Sequence, residues 1–236
     1  MKTTLFIALS LWALSISYEA HSQQSIKKIE SGKDLEDFTT LGQQYLFAEF
    51  EEGTVLKKDG SYARGKMNYN LVVGEMQFID PQKEEVLALA EITNVAAVSI
   101  LGRFFVPFSS KGEFLEILTD GTGSLGVKRR TVARPYGKEG AYGTINTSSS
   151  IESIQTVTSD GKPETISVSD YKLITSQSLY YLLTNGKSKL ILNKKTILNA
   201  YPKSTHSQIE LFITEGNIDL RKEDDLIALI DFCNQL

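Results

Sequence analysis

His206, Cys233 and a scatter of acidic residues are the groups in this 236-residue sequence suited to acid–base, nucleophilic or metal chemistry, and none completes a set. A Ser-His-Asp relay needs a histidine as its base. His206 sits in Lys203-Ser204-Thr205-His206-Ser207, which reads as the polar start of a helix and fits a solvated surface role. A zinc site draws on several His or Cys ligands, whereas the sequence holds two His and one Cys. Cys233 falls on the apolar stripe of a C-terminal helix, where a small buried hydrophobe is expected rather than a reactive thiol.

Gly121-Thr122-Gly123-Ser124-Leu125-Gly126 has the letters of a dinucleotide fingerprint. That motif must follow a parallel strand and open a helix. Val127 to Val132 continue with strand character instead, so the glycines are expected in a hairpin turn. Asp120-Gly121-Thr122-Gly123-Ser124 lacks the later oxygen ligands and terminal glutamate of an EF-hand loop. No cofactor signature remains. Glu49, Glu51, Glu52, Asp59, Asp80, Glu84 and Glu85 lie on strands or turns and offer carboxylates for a hydrolase dyad, but nothing in their spacing selects two.

Two binding chemistries are better represented. Lys128, Arg130, Arg134 and Lys138 form a basic concentration, with Tyr136 and Tyr142 close in sequence. Strand alternation places Lys128, Arg130 and Arg134 on one face and Arg129 on the other, so Lys128, Arg130, Arg134, Tyr136 and Tyr142 are the candidate residues for an anionic ligand. Tyr45, Phe47, Tyr69, Met76, Phe78, Phe104 and Phe108 are the second set. In a curved sheet they would fill a core or line a cavity for an apolar ligand.

The elements that position these groups follow a leader. Lys2, the apolar run Leu5 to Ile16, and small residues Ala20 and Ser22 before Gln23 form the three-part pattern of a secretory signal peptide. Residues 1–22 are expected to be removed, taking Trp12 and His21 with them. The apolar run is short for a membrane span, which needs about 20 residues, and no comparable run follows it. A single cysteine allows no intrachain disulfide, so stability must come from apolar burial. The formal charge is −4, and the leader holds one charge of each sign, Lys2 and Glu19. A mildly acidic chain is ill-suited to general nucleic-acid binding, which a basic surface carries.

Residues 23–236 read as a single α+β domain, β-rich over 45–192 and helical over 193–236. Short strands joined by tight turns predict an antiparallel meander, curved or barrel-like, with C-terminal helices packed on it. Tyr45 to Phe50, Gly53 to Lys58, Ser61 to Leu71, Met76 to Asp80, Val86 to Leu89, Val95 to Leu101, Arg103 to Phe108, Glu113 to Thr119 and Ser124 to Arg134 carry strand character. Asp59-Gly60 predicts a type I′ hairpin, and Asn185-Gly186 predicts a second hairpin. An approximate helical face runs from Asp34 to Leu41. Residues 135–170 are rich in Gly, Ser and charge and predict a long loop or lid-like excursion. Strand character resumes at Tyr171 to Ile174, Ser178 to Leu183 and Ser188 to Leu192. Asn193 is placed to cap a short helix that Pro202 ends, and Ser204 to cap a second. Glu223-Asp224-Asp225 suits a third helix N-terminus, followed by the stripe Leu226, Leu229, Ile230, Cys233 and Leu236.

Two segments carry a family likeness: Gly53-Thr54-Val55-Leu56-Lys57-Lys58-Asp59-Gly60 through Lys66-Met67-Asn68-Tyr69-Asn70 to Gln77-Phe78-Ile79-Asp80, and the tail from Ile197-Leu198-Asn199-Ala200-Tyr201-Pro202 to Lys222-Glu223-Asp224-Asp225-Leu226-Ile227. Both resemble uncharacterised exported proteins common in Bacteroidetes. The resemblance implies a Gram-negative envelope setting, periplasmic or extracellular, and a single domain; it implies no activity. The expectation is a soluble, non-catalytic envelope protein that binds a partner or ligand. A carrier of an apolar or lipid ligand in a sheet cavity is the alternative, and a carboxylate-dependent hydrolase a third. The sequence specifies no partner beyond these classes.

Overall fold

The computed structural model describes residues 25–29, 39–109, 112–139, 145–146, 154–157, 163–166 and 170–236. Early in the chain lie β1 (Ser25–Ile29) and a single helical turn, α1 (Leu41–Gln44). The meander comprises β2 (Glu51–Lys57), β3 (Tyr62–Asn70), β4 (Glu75–Ile79), β5 (Val86–Ala88), β6 (Val95–Ile100), β7 (Arg103–Pro107), β8 (Phe114–Ile117) and β9 (Ser124–Glu139). After it come β10 (Ile145–Asn146), β11 (Ile154–Val157), β12 (Pro163–Ile166), β13 (Asp170–Thr184) and β14 (Lys187–Leu190). The chain ends in α2 (Lys194–Leu198), α3 (His206–Glu215) and α4 (Glu223–Asn234).

The main sheet is antiparallel, in the order β1-β13-β9-β8-β7-β6-β2-β3-β4-β5, with β10 on β9 and β14 on β13; β11 and β12 pair separately. The expected α+β class and meander therefore hold. The sheet curls without closing. The turn after β3 comes back against β8 and β9: the Thr131 amide donates to the Leu71 carbonyl at 2.8 Å, and Glu75 bridges Glu113. Inside the curl lies a core of Val55, Met67, Tyr69, Leu71, Met76, Val95, Val98, Ile100, Phe105 and Phe114. Full burial of such a side chain contributes about 1.5–3 kcal/mol.

A second core lies beneath the helices. Leu125 of β9 and Leu182 of β13 meet Ile197, Ile209, Leu226, Leu229, Ile230 and Cys233. The acidic first turn of α4 complements its helix dipole. At its far end Asn234 takes the Gly123 amide on Oδ1 and gives Nδ2 to the Gly123 carbonyl, both at 2.8 Å. The side chain thus satisfies backbone groups of the β8–β9 turn, which is an antiparallel hairpin with no helix after it.

Local predictions fare unevenly. Asn185 and Gly186 have φ of 51° and 70°, as a type I′ turn requires, and Asn193 accepts the Thr196 amide as a helix cap. At Asp59-Gly60 only the glycine has positive φ. Asp59 instead accepts both the amide and the hydroxyl of Ser61, which holds it out of the left-handed region. Tyr45 makes one bridge to Asn70, and residues 46–49 bend rather than continue as a strand, because the Asn68 side chain takes the backbone groups of Phe47 and Glu49. Ser204 falls in a 3-10 turn, and α3 starts after Thr205 with no side-chain cap. Residues 170–184 form one strand, not two, since β13 follows β9 along its length. Strand β9 extends to Glu139, into the stretch expected as loop. The leader and the helical face at Asp34 to Phe38 lie outside the described residues.

Candidate functional site

Strands β3 and β4 differ in length, and this difference opens a concavity beside them. Strand β3 pairs with β2 from Tyr62 to Met67, but its ladder to β4 begins only at Met67, opposite Phe78. After Ile79 the chain turns at Pro81 and returns as β5, which pairs with β4 through Phe78 and Leu87. From β5 a strap, residues 89–94, leads back to β6 across the inner side of the curl. Leu89 and Ile92 pack on the core beneath, and the Leu89 amide donates to the Met76 carbonyl at 2.8 Å. Glu91 in this strap has φ 53°, a left-handed conformation uncommon for a non-glycine residue.

Between strap and strands lies a groove of about 900 Å³, at the large end of the range typical of ligand sites. Val55, Met67, Phe78, Leu87, Leu89 and Val95 contribute its apolar walls. Ala63 and Gly65 contribute the space. In β3 these two alternate on the same face as Met67 and Tyr69, which are buried, yet a side chain added at Gly65 would meet nothing within 4 Å. Lys57, Arg64, Lys66, Glu52 and Glu91 stand around the opening.

The basic residues named from sequence are distributed as follows. Lys128 is buried; its ammonium bonds the Glu113 carboxylate and lies 5.8 Å over the Phe108 ring. That bond, the largest influence on Glu113, holds its pKa below the usual carboxylate range despite partial burial. Arg130 donates to Gln177 at 3.2 Å. Arg134 and Tyr136 are exposed. Tyr142, with the side chain of Lys138, lies outside the described residues. The alternation places Arg129 opposite, as expected. It joins Glu116 of β8 and Glu223 of α4, each at 2.8 Å, while Arg103 grips Glu116 at 2.5 Å. Burial works to raise the pKa of the Glu116 carboxyl, but the two guanidiniums outweigh it and hold that pKa below the usual range.

The aromatic set divides. Tyr69 and Met76 are core residues, Phe78 lines the groove, Phe104 is exposed, and Phe108 packs on Tyr181 with ring centroids 4.8 Å apart. Tyr45 donates to Gln77 at 2.9 Å and meets Phe50 edge-on, while Phe47 packs edge-on against Phe105. Sequence reasoning missed Val55, Ala63, Gly65, Leu87 and Leu89 as groove residues. A lone glycine within a strand, with a proline following the next strand, was the available signal.

Three groups suited to chemistry are placed as follows. Asp59 is fully exposed, and the Ser61 hydrogen bonds hold its carboxyl below the usual range, the reverse of what a general acid needs. Cys233 is buried, and desolvation pushes its thiol up to about 11. His206 Nε2 lies 3.2 Å from the Tyr201 carbonyl, to which it donates in the tautomer that carries its proton there. Among the described residues no group of three or more His, Cys, Asp or Glu is placed to hold a metal ion, and no helix is long and apolar enough to cross a membrane. Comparison of the chain with protein-family models, with curated proteins and with solved structures gives no match.

Proposed function

We propose that this chain is an exported, non-catalytic binding protein of a bacterial envelope, and that its ligand presents apolar surface to the groove between β3, β5 and the strap. Export rests on the leader pattern of residues 1–22 and the envelope setting on the family resemblance. The observation that carries the binding role is the unfilled space over Gly65, beside a core that is otherwise packed. A protein selected for stability alone fills such a volume, since unfilled apolar space forfeits packing energy. The basic stretch supports an anion site less well, because Lys128 already neutralises Glu113.

The uncharged fluorophore 1-N-phenylnaphthylamine tests this reading. Its emission should rise saturably on mixing with the protein, and Gly65→Leu, which fills the groove, should abolish the rise while the thermal transition persists. Leu192→Ser, at an exposed apolar residue that does not line the groove, should leave it intact. No enhancement in the parent, or equal enhancement in Gly65→Leu, overturns the assignment.

A further inference from the structure

The groove has an unpaired strand edge along one side, and this specifies what fits there. The Lys57 amide donates to the Ser61 carbonyl at 2.8 Å, which sets the hydrogen-bonding phase of the β2–β3 hairpin. In an antiparallel ladder, successive residues direct their backbone groups to alternate sides. Ala63 and Gly65 therefore bond β2, while the N–H and C=O of Tyr62 and Arg64 point away from it. Among the described residues no strand pairs on that side. Extending the β3–β4 register past Met67 and Phe78 would set Pro81 opposite Arg64, and there the chain has already turned. Among the described residues no strand pairs with Tyr62 or Arg64 on that side, and no turn or loop backbone hydrogen bond reaches them there.

Resting on the reading of the groove as a binding site, we propose that this edge accepts an extended polypeptide segment as an additional antiparallel strand, and that the segment alternates apolar with acidic residues. Strand addition supplies affinity through main-chain bonds and specificity through alternate side chains. A strand laid beside Tyr62 to Lys66 directs one set of side chains to the face of Ala63 and Gly65, where the apolar groove receives them. The other set falls on the face of Arg64 and Lys66. Both residues are exposed. Glu52 stands opposite Lys66 in the β2–β3 register and Arg64 lies 5.4 Å over the Tyr62 ring, yet neither base forms an ion pair among the described residues, so acidic groups on the open side complement them. A second copy of this chain does not fit, because pairing two such edges sets Arg64 and Lys66 against their own kind. Edge lysines and arginines ordinarily discourage such self-association.

The test uses the full chain and the peptide (Glu-Val)₃-amide carrying an N-terminal fluorescein label, in three forms: unmodified, N-methylated on every glutamate, and N-methylated on every valine. The unmodified peptide should bind saturably, and methylation of one edge should weaken binding at least about tenfold while methylation of the other changes it little, since only one edge meets β3. Arg64→Pro should remove binding and remain folded, because a proline is tolerated where its missing N–H would face outward. Arg64→Gln should weaken binding only a few-fold, in a salt-dependent way. If Arg64→Pro fails to fold, the methylated peptides decide the matter. Equal effects of the two methylation patterns overturn the proposal. So does a parent protein that binds 1-N-phenylnaphthylamine, or releases it to dodecanoate, yet ignores the peptide; the groove then stands as a site for small apolar ligands. Failure of both peptide and fluorophore overturns the groove reading as well.

Discussion

Gly53 and Gly65 face each other across the β2–β3 ladder, yet a side chain would meet opposite conditions at the two positions. A Cβ at Gly53 would lie 3.1 Å from Ile100 Cγ1, from Met67 Sδ and from the Ser99 carbonyl; a Cβ at Gly65 would touch nothing. One glycine permits close packing of the core, and the other leaves the groove open. Neither has positive φ, so backbone conformation does not demand glycine at either site. Gly53→Ala should destabilise by about 1–3 kcal/mol through overpacking. Gly65→Ala should stabilise by about 0.5–1 kcal/mol through the lower entropy of the unfolded chain. Urea denaturation of the two variants checks the sign of each change, and equal signs would contradict the packing described.

The Glu116 carboxylate links three elements through its arginines: Arg103 on β7, and Arg129 on β9, which carries the link to Glu223 on α4. Because its folded pKa lies below the ordinary value of 4.5, its contribution is complete above that pH and is lost as pH falls through the folded value. Glu116→Gln should cost about 3 kcal/mol at neutral pH, since Arg103 and the partly buried Arg129 lose a charged partner. The variant should also show a shallower loss of stability on acidification below about pH 4.5. Thermal unfolding across the acid range measures both. Parallel curves for parent and variant would remove Glu116 from the acid response.

The Cys233 thiol should be inert in the native protein. Burial raises it to about 11, so little thiolate forms at pH 8 and reagent has poor access. Reaction with 5,5′-dithiobis(2-nitrobenzoate) should be slow in buffer and rapid in denaturant. Fast stoichiometric reaction in buffer would place Cys233 outside the helix core.

Features set by neighbours in sequence were legible in advance. Asn185-Gly186 adopts the conformation its residue types favour, the Asn193 cap forms, and the stripe Leu226, Leu229, Ile230 and Cys233 is buried as its spacing implies, although Leu236 is exposed. The alternation that separates Lys128 from Arg129 was equally readable. Features set by distant partners were not. That β3 outruns β4 depends on where Pro81 turns the chain, and that Lys128 is neutralised depends on Glu113 arriving from the loop before β8. Tyr45 to Phe50 read as a strand from its aromatics, but Asn68 claims the backbone of Phe47 and Glu49, and periodicity carries no trace of such a contact. The groove shared this obscurity: Ala63 and Gly65 mark an opening only once Val55, Phe78 and Leu89 surround it.

Hydrogen exchange at single amides of the free protein tests most directly whether the first half of β3 is an open edge beside the groove. The predicted result alternates, with the amides of Tyr62 and Arg64 exchanging at rates close to those of an unstructured chain and those of Ala63 and Gly65 protected through their bonds to β2. Comparable protection at all four positions would mean that the protein already occupies this edge itself, and would contradict both the open groove and the strand-addition site.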